Sequence, residues 1–377
     1  MKRLAPAVIV TALALMSVSW CDEPKAGMSH VQQINPTPVK WPDVLKRETA
    51  WYAEADARRI ADNVLLYQRD SGGWPKNIDM AAELSEDVRA ALRKQKTEVD
   101  STIDNGATYT QLRYLARVYA AQPQTQYRHA FINGVEYLLK AQYENGGWPQ
   151  FFPLRQGYYT HITYNDDAMV GVLELLRDIA KATPPYALVG RALRVRASAA
   201  VDRGIECILK TQVVVDGKLT VWCAQHDEVT FKPAPARAYE PISLSGLESV
   251  GVVRLLMKIE HPSQRVIDAI DSAIAWFDQT RINGFRWQET PTTSGFDRVL
   301  IKDEKGGPLW ARFYEIGTNR PIFSGRDSVI RYDVSQIEAE RRNGYRWYTD
   351  APEKLLKMDF PIWRTRLKMP LQLTSAP

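Results

Sequence analysis

From Thr49 onward, apolar residues recur along the chain at three- and four-residue intervals. Leu112, Leu115, Ala116 and Tyr119 share one face at helical spacing, as do Phe131, Val135, Leu138 and Leu139, and again Ile267, Ile270, Ile274 and Phe277. This periodicity predicts amphipathic helices with one stripe turned to a core. Period-two alternation, the mark of a half-buried strand, is confined to short pieces, of which residues 309–314 are the clearest. The pattern therefore predicts an all-α chain with long loops and short strands.

A second, longer period decides how the helices are arranged. YQRDSGGWPK ends at Lys76, AQYENGGWPQ at Gln150, TQVVVDGKLTVW at Trp222, RINGFRWQ at Gln288 and RRNGYRWY at Tyr348. Each copy reads as a helix end, a glycine able to take positive φ, and an aromatic residue that folds back on the helices. The spacing of about 60–75 residues leaves room for two helices and a loop, so the units are helical hairpins stacked or closed into a ring. An α/α toroid is the expected closure, with the long loops after Trp148, Trp222 and Trp287 gathered at one mouth. In this reading the GGWP copies are architecture, because five copies at a scaffold period describe a scaffold.

The chain before Thr49 breaks the pattern. Residues 1–22 have a basic start, an apolar run over 5–18 and a polar end, too short for a membrane span, and read as a signal peptide that exports the protein to the periplasm or beyond. Cys21 resembles a lipoprotein acceptor, but Trp20 stands where that signal needs a small residue. Residues 23–48 are polar and proline-rich and read as a linker, leaving residues 49–377 as the toroid domain. After removal of the leader, Cys207 and Cys223 remain as one disulfide or as two buried thiols. A net charge of +5 without Lys/Arg runs excludes a nucleic-acid arm and suits an anionic small or polymeric partner. Nothing in the sequence asks for a second subunit, so a monomer is expected.

Four stretches carry candidate chemistry. Asp104 and Asn105 in DNGAT, and Asn165, Asp166 and Asp167 in TYNDDAM, precede helices in successive hairpins, and any one of them could be an N-cap. Together they offer several hard oxygens at one mouth without cysteine or histidine, which points to calcium or magnesium rather than zinc. In the loop 222–248, His226 and Asp227 read as an acid–base pair or a loop brace. Prolines stiffen the backbone ahead of Arg237, which presents a pre-set fork for a carboxylate. Arg312 and Arg326, near Trp310, Phe313 and Phe323, read as a clamp for anionic sugar rings.

DNGAT at Asp104, NGGWPQFFP at Asn145, TYNDDAM at Thr163, WCAQHDEVTFKPAPARAYEP at Trp222, and PLWARFYE with NRPIFSGRD resemble the pectate lyases of polysaccharide lyase family ten. The resemblance spans residues 49–359. It implies an α/α toroid and calcium-assisted β-elimination on the α-1,4-linked galacturonate of homogalacturonan, giving 4,5-unsaturated oligogalacturonides. Carried over motif by motif, Asp104, Asn105 and Asp166 form the calcium site, Arg237 is the base that takes the C5 proton, and Arg312 and Arg326 hold uronate carboxylates. His226, on the same loop as Arg237, joins the substrate-binding set. The base assignment is in tension with elementary chemistry, since a guanidinium stays protonated at ordinary pH. Three other readings compete. A galacturonan hydrolase would need two carboxylates across the bond, with Asp166 and Asp227 cast in the roles. A calcium-dependent pectin-binding protein would use the same pocket without turnover. A terpene-cyclase-like toroid would use Asp166 and Asp167 as a metal–diphosphate pair.

Overall fold

The computed structural model describes residues 39–368 apart from Ser294. The expected signal peptide, Cys21 and most of the expected linker lie outside the described residues. Eight longer helices run in chain order: α1 (Ala55–Tyr67), α2 (Glu86–Lys94), α3 (Tyr109–Ala121), α4 (Thr125–Ala141), α5 (Ala168–Ala180), α6 (Arg191–Thr211), α7 (Glu248–Met257) and α8 (Gln264–Gln279). Three short ones follow: α9 (Ala339–Gly344), α10 (Ala351–Lys354) and α11 (Phe360–Lys368).

The predicted stripes are where packing is tightest. Leu112, Leu115 and Ala116 on α3, Phe131, Val135 and Leu138 on α4, and Ile270 and Phe277 on α8 are buried, while Tyr119, Leu139, Ile267 and Ile274 flank the core half-buried. Neighbouring contacts run α3 to α5 to α7 in one layer and α4 to α6 to α8 in another. The inner helices surround a central cavity of about 960 Å³, lined by Tyr109, Glu174, Gly251 and Arg254 and bounded at the C-terminal end by Trp363 and Arg366 of α11. This is an α/α toroid.

The repeat supplies the joints. Trp74, Trp148 and Trp222 are fully buried, and their indole N–H groups donate to Val64, Leu138 and Ile208 at the ends of α1, α4 and α6, each at 2.8 Å. Gly146 has φ +94°, and a Cβ there would come within 2.0 Å of the Arg203 carbonyl oxygen on α6. Only glycine allows that approach. A glutamine follows each helix end and stitches the outer layer. Gln68, Gln142 and Gln212 each donate both to their own loop and to the next outer helix, at Ala130, Ala200 and Ala269.

Three expectations are corrected. The fourth copy of the repeat is carried by Trp310, whose indole donates to Phe277 of α8 at 2.7 Å, and not by Trp287. Trp287 belongs instead to the longest strand pair of the described residues, Phe285–Thr292 antiparallel to Gly295–Lys302. It carries Trp287 against Tyr348 and is fastened to α9 by Arg342 on Asp297. Strand structure is therefore not confined to short pieces. The linker also ends sooner than residue 48. Residues 41–46 form a 3₁₀ turn with Val44 buried, Tyr52 Oη donates to the Val44 carbonyl and Arg117 to the Leu45 carbonyl. Cys207 and Cys223, left open between a bridge and two thiols, are buried and free.

Candidate active site

The mouth of the ring is built on the segments that lead into α3 and α5, and these follow one path. Thr102 and Thr163 each donate a backbone N–H to the carbonyl of the preceding repeat tryptophan, Trp74 and Trp148. Three and four residues on, the backbone turns left-handed. Asn105 and Asp166 both have φ +50°, and Asp167 has φ +57°. Asn and Asp tolerate this conformation better than other side chains. The turn denies them the capping role that sequence alone allowed. Thr108 and Asp167 stand at the N-caps of α3 and α5, and neither makes a side-chain cap bond.

Asn105 and Asp166, turned away from the helix starts, reach a polar cavity of about 110 Å³ lined by Lys76, Asn77, Asp104, Asn105, Gln150, Tyr158, Asn165, Asp166, Gln225, Arg237 and Glu240. The structure thus brings Asp104, Asn105, Asp166 and Arg237 to one place from three separate stretches. Asp104 is 3% exposed; its Oδ2 takes the Lys76 ammonium, and its Oδ1 is buried with no protein partner. The amide oxygens of Gln150 and Gln225 are likewise buried and unpartnered. Three unpaired acceptors around one cavity are a large debt of desolvation, since each costs about 1–3 kcal/mol until a donor or a cation meets it. The two glutamines were not singled out by sequence reasoning. Their one signal is position, close behind Trp148 and Trp222 in successive repeats.

Arg237 sits on this cavity with its guanidinium turned side-on. Nε and Nη2 donate to Glu240 at 2.8 and 2.5 Å, leaving Nη1 outside the fork. Glu240 is buried and also accepts from Tyr345 Oη at 2.7 Å. Tyr239 and Tyr345 lie against the guanidinium, 5.0 and 5.8 Å from their ring centroids. The Glu240 hydrogen bonds outweigh partial burial and push the Arg237 pKa further above the ordinary arginine value. Burial acts to raise the Glu240 carboxyl, but the Arg237 fork and Tyr345 prevail and hold it below the usual range.

Three sequence expectations meet different surroundings. His226 is fully buried: Nδ1 faces the Phe231 carbonyl at 2.9 Å and Nε2 accepts from the Cys223 N–H at 3.1 Å. Burial pushes its pKa down to about 4, so it is a neutral loop brace and not a substrate-binding residue. Asp227 ties its own turn through Val229 and Thr230 and makes no pair with it. Arg312 is 4% exposed and lies beneath the cavity. It pairs with Glu248 and donates to Asn165 Oδ1 at 3.0 Å and Asp166 Oδ1 at 3.4 Å. All three bonds come from Nη2, while Nε is buried without a protein partner; Arg312 does not itself line the polar cavity, and what the structure shows it doing is holding those side chains. Arg326 is exposed at the rim, paired with Glu340 at 3.0 Å; Glu340 also holds Arg341, which stacks 4.6 Å over Tyr239 beside Arg237.

Asp166 and Asp167 are not a matched pair. Asp167 abuts Gly251 of α7, where any Cβ would lie 2.0 Å from its Oδ1, and lines the central cavity but not the polar one. Burial, then Glu248 and Glu174, push its carboxyl up to about 6. Asp166 lines both cavities and Asp167 only the central one, so Asp166 alone of the two reaches Asp104 and Arg237.

Comparison with known proteins places the chain by sequence pattern and by fold. The pattern of the pectic acid lyase family matches residues 68–356. A family 10 polysaccharide lyase from Cellvibrio cellulosa, solved as an aspartate-to-alanine mutant in complex with trigalacturonic acid, superimposes with a TM-score of 0.72 at 33% identity, covering 85% of this chain and 95% of its own. A second structure of a family 10 lyase from that organism gives 0.72 at 34% identity, over 83% and 94% of the two chains. No curated protein matches the sequence. With most of the chain matched in sequence and in fold, this protein belongs to the pectic acid lyase family and is a pectate lyase built on the family-ten toroid.

Proposed function

We propose that the polar cavity cleaves α-1,4-linked homogalacturonan by β-elimination, with calcium held by Asp104, Asn105 and Asp166 and with Arg237 as the group that takes the C5 proton. The observation that carries this reading is the meeting of those four residues around buried, unpartnered oxygens at Asp104, Gln150 and Gln225. The donor set fits a hard cation, since it offers oxygens without sulfur or imidazole, and the Lys76 ammonium on Asp104 already stands where positive charge is wanted. A divalent ion bound there neutralises a uronate carboxylate and favours the negative charge that grows when the adjacent carbon loses its proton. The trigalacturonic acid bound by the Cellvibrio lyase supports galacturonan as the substrate class.

The protein's own residues divide the remaining work. Glu240 takes Nε and Nη2 of Arg237, so Nη1 is the atom left to meet the substrate. Arg312 holds Asn165 and Asp166 from below and fixes where the carboxylate of Asp166 points. Arg326, exposed beside Glu340, supplies cationic charge for neighbouring uronates. Neutral Arg237 takes the C5 proton, the electron pair left at C5 forms the C4–C5 double bond as the C4–O bond breaks, and the departing oxygen takes a proton from solvent, so no water is consumed. The chain acts as a monomer and, through its leader, outside the cytoplasm. Among the described residues no helix is long and apolar enough to cross a membrane.

The test is the balance of products on polygalacturonate. Each new reducing end should be matched by one conjugated unsaturated uronide, read as ultraviolet absorbance. Reducing ends without that absorbance would make the enzyme a hydrolase. The raised pKa of Arg237 also has a kinetic consequence. Its neutral, proton-accepting form becomes more populated as pH rises, so the rate should climb through the alkaline range. Glu240→Gln removes the main cause of the upward shift and should move that climb to lower pH, while the looser fork lowers the maximal rate about tenfold or more. An unmoved pH profile would refute the coupling.

A further inference from the structure

A second cavity, of about 370 Å³, opens beside the polar one and shares Lys76, Asn77 and Asn105 with it. Its character is different. Trp41, Pro42, Pro75 and Ile78 give it apolar walls, and Lys40 stands on it with no carboxylate partner among the described residues. Trp41 is half-buried, and among the described residues its indole N–H has no acceptor, whereas the repeat tryptophans donate theirs to helix ends. The wall is also held in place. The Trp41 backbone N–H donates to Asp79 Oδ1 at 2.9 Å, its ring meets Tyr114 edge-on at 5.6 Å, and the turn behind it is tied by Tyr52 and Arg117.

From this we infer that the Trp41 cavity is a distal subsite for a further galacturonate residue of the chain being cleaved. The inference rests on the galacturonan reading of the neighbouring cavity. A pyranose ring has C–H faces that pack on an aromatic wall, hydroxyls that can accept from an indole N–H, and, when it is a uronate, one carboxylate for an ammonium. The cavity offers all three, and Lys76, Asn77 and Asn105 make it continuous with the site of chemistry, so a polymer leaving one enters the other. Because Trp41 is fixed before any ligand arrives, little ordering cost opposes binding. The segment read from sequence as a linker thus forms part of the substrate cleft.

A distal subsite serves long substrates and does nothing for short ones that do not reach it. The measurement is kcat/KM on hexagalacturonate divided by kcat/KM on trigalacturonate, for the wild type, Trp41→Ala and Lys40→Gln, with thermal unfolding as the control on folding. Wild-type enzyme should favour the hexamer, and each substitution should reduce the ratio, by about fivefold for Trp41→Ala and less for Lys40→Gln, whose effect should fade as salt is raised. Lys40 is exposed, so Lys40→Gln decides the matter should Trp41→Ala fail to fold. Ratios equal to wild type in the folded variants would overturn the subsite while leaving the function intact. Wild-type enzyme that forms no unsaturated product from either oligomer would overturn the function, and the subsite with it.

Discussion

Arg237→Ala should reduce cleavage of polygalacturonate by about a thousandfold or more, within the range that a positioned proton acceptor contributes. Binding should weaken far less, by about tenfold at most, or ~1.4 kcal/mol. The two effects separate because only Nη1 lies outside the Glu240 fork. Arg237 therefore has one nitrogen for the substrate, while Arg326 and Lys76 remain to attract the anionic chain. Arg237→Lys should fail almost as badly, since an ammonium cannot span both oxygens of Glu240. The side chain of Arg237 is 41% exposed, so the stability lost with its ion pair should be well below that of a fully buried pair, and the variant should fold. An Arg237→Ala enzyme with wild-type turnover would end the base assignment. Loss of binding in step with activity would make Arg237 a carboxylate clamp.

Asp166→Ala should raise the calcium needed for half-maximal activity by about tenfold or more, or remove activity, since about 1.4 kcal/mol of ion binding already accounts for a factor of ten. Calcium binding by the protein alone, followed by calorimetry, should weaken in parallel. Asp104→Ala should act in the same direction, because it removes the unpartnered Oδ1, though it also releases the Lys76 ammonium from Oδ2. With Asp166 gone, Arg312 keeps Glu248 and Asn165, so the floor of the cavity persists. Unchanged calcium dependence in both variants would place the ion elsewhere. Among the described residues one alternative cluster stands out, where half-buried His161, Asp227 and Glu228 bring ligand atoms within 4.8 Å of one another. There, however, Glu228 is paired with His161 and Asp227 with its own turn, and no buried acceptor is left wanting.

What was legible in the sequence was what repeats locally. The helical stripes, the first three tryptophan joints and the Asx-rich approaches to α3 and α5 all show within a dozen residues and stand where the pattern placed them, whereas the fourth joint moved from Trp287 to Trp310. The less legible features act over distance. Gln68, Gln142 and Gln212 stand in the repeat strings, but the bonds that make them stitches reach 57 to 62 residues along the chain. The burial of Arg312 depends on Glu248 and Asp166, which no spacing connects to it. Asp104 and Asp166 looked like caps because cap chemistry and ligand chemistry use the same residue types. The left-handed turn at Asn105 and Asp166 is what separates them. The 285–302 hairpin escaped because much of it is exposed, so its strands carry no clean alternation. Trp41 escaped because its turn is anchored by the single buried residue Val44, and one anchor makes no period.

The most direct test of the account is the ultraviolet absorbance of the unsaturated uronide during incubation with polygalacturonate at alkaline pH, first with calcium and then with a chelator added. The account predicts a steady rise that the chelator stops and restored calcium revives. A rise indifferent to the chelator would contradict the cation site at Asp104, Asn105 and Asp166, and no rise in either condition would contradict β-elimination itself.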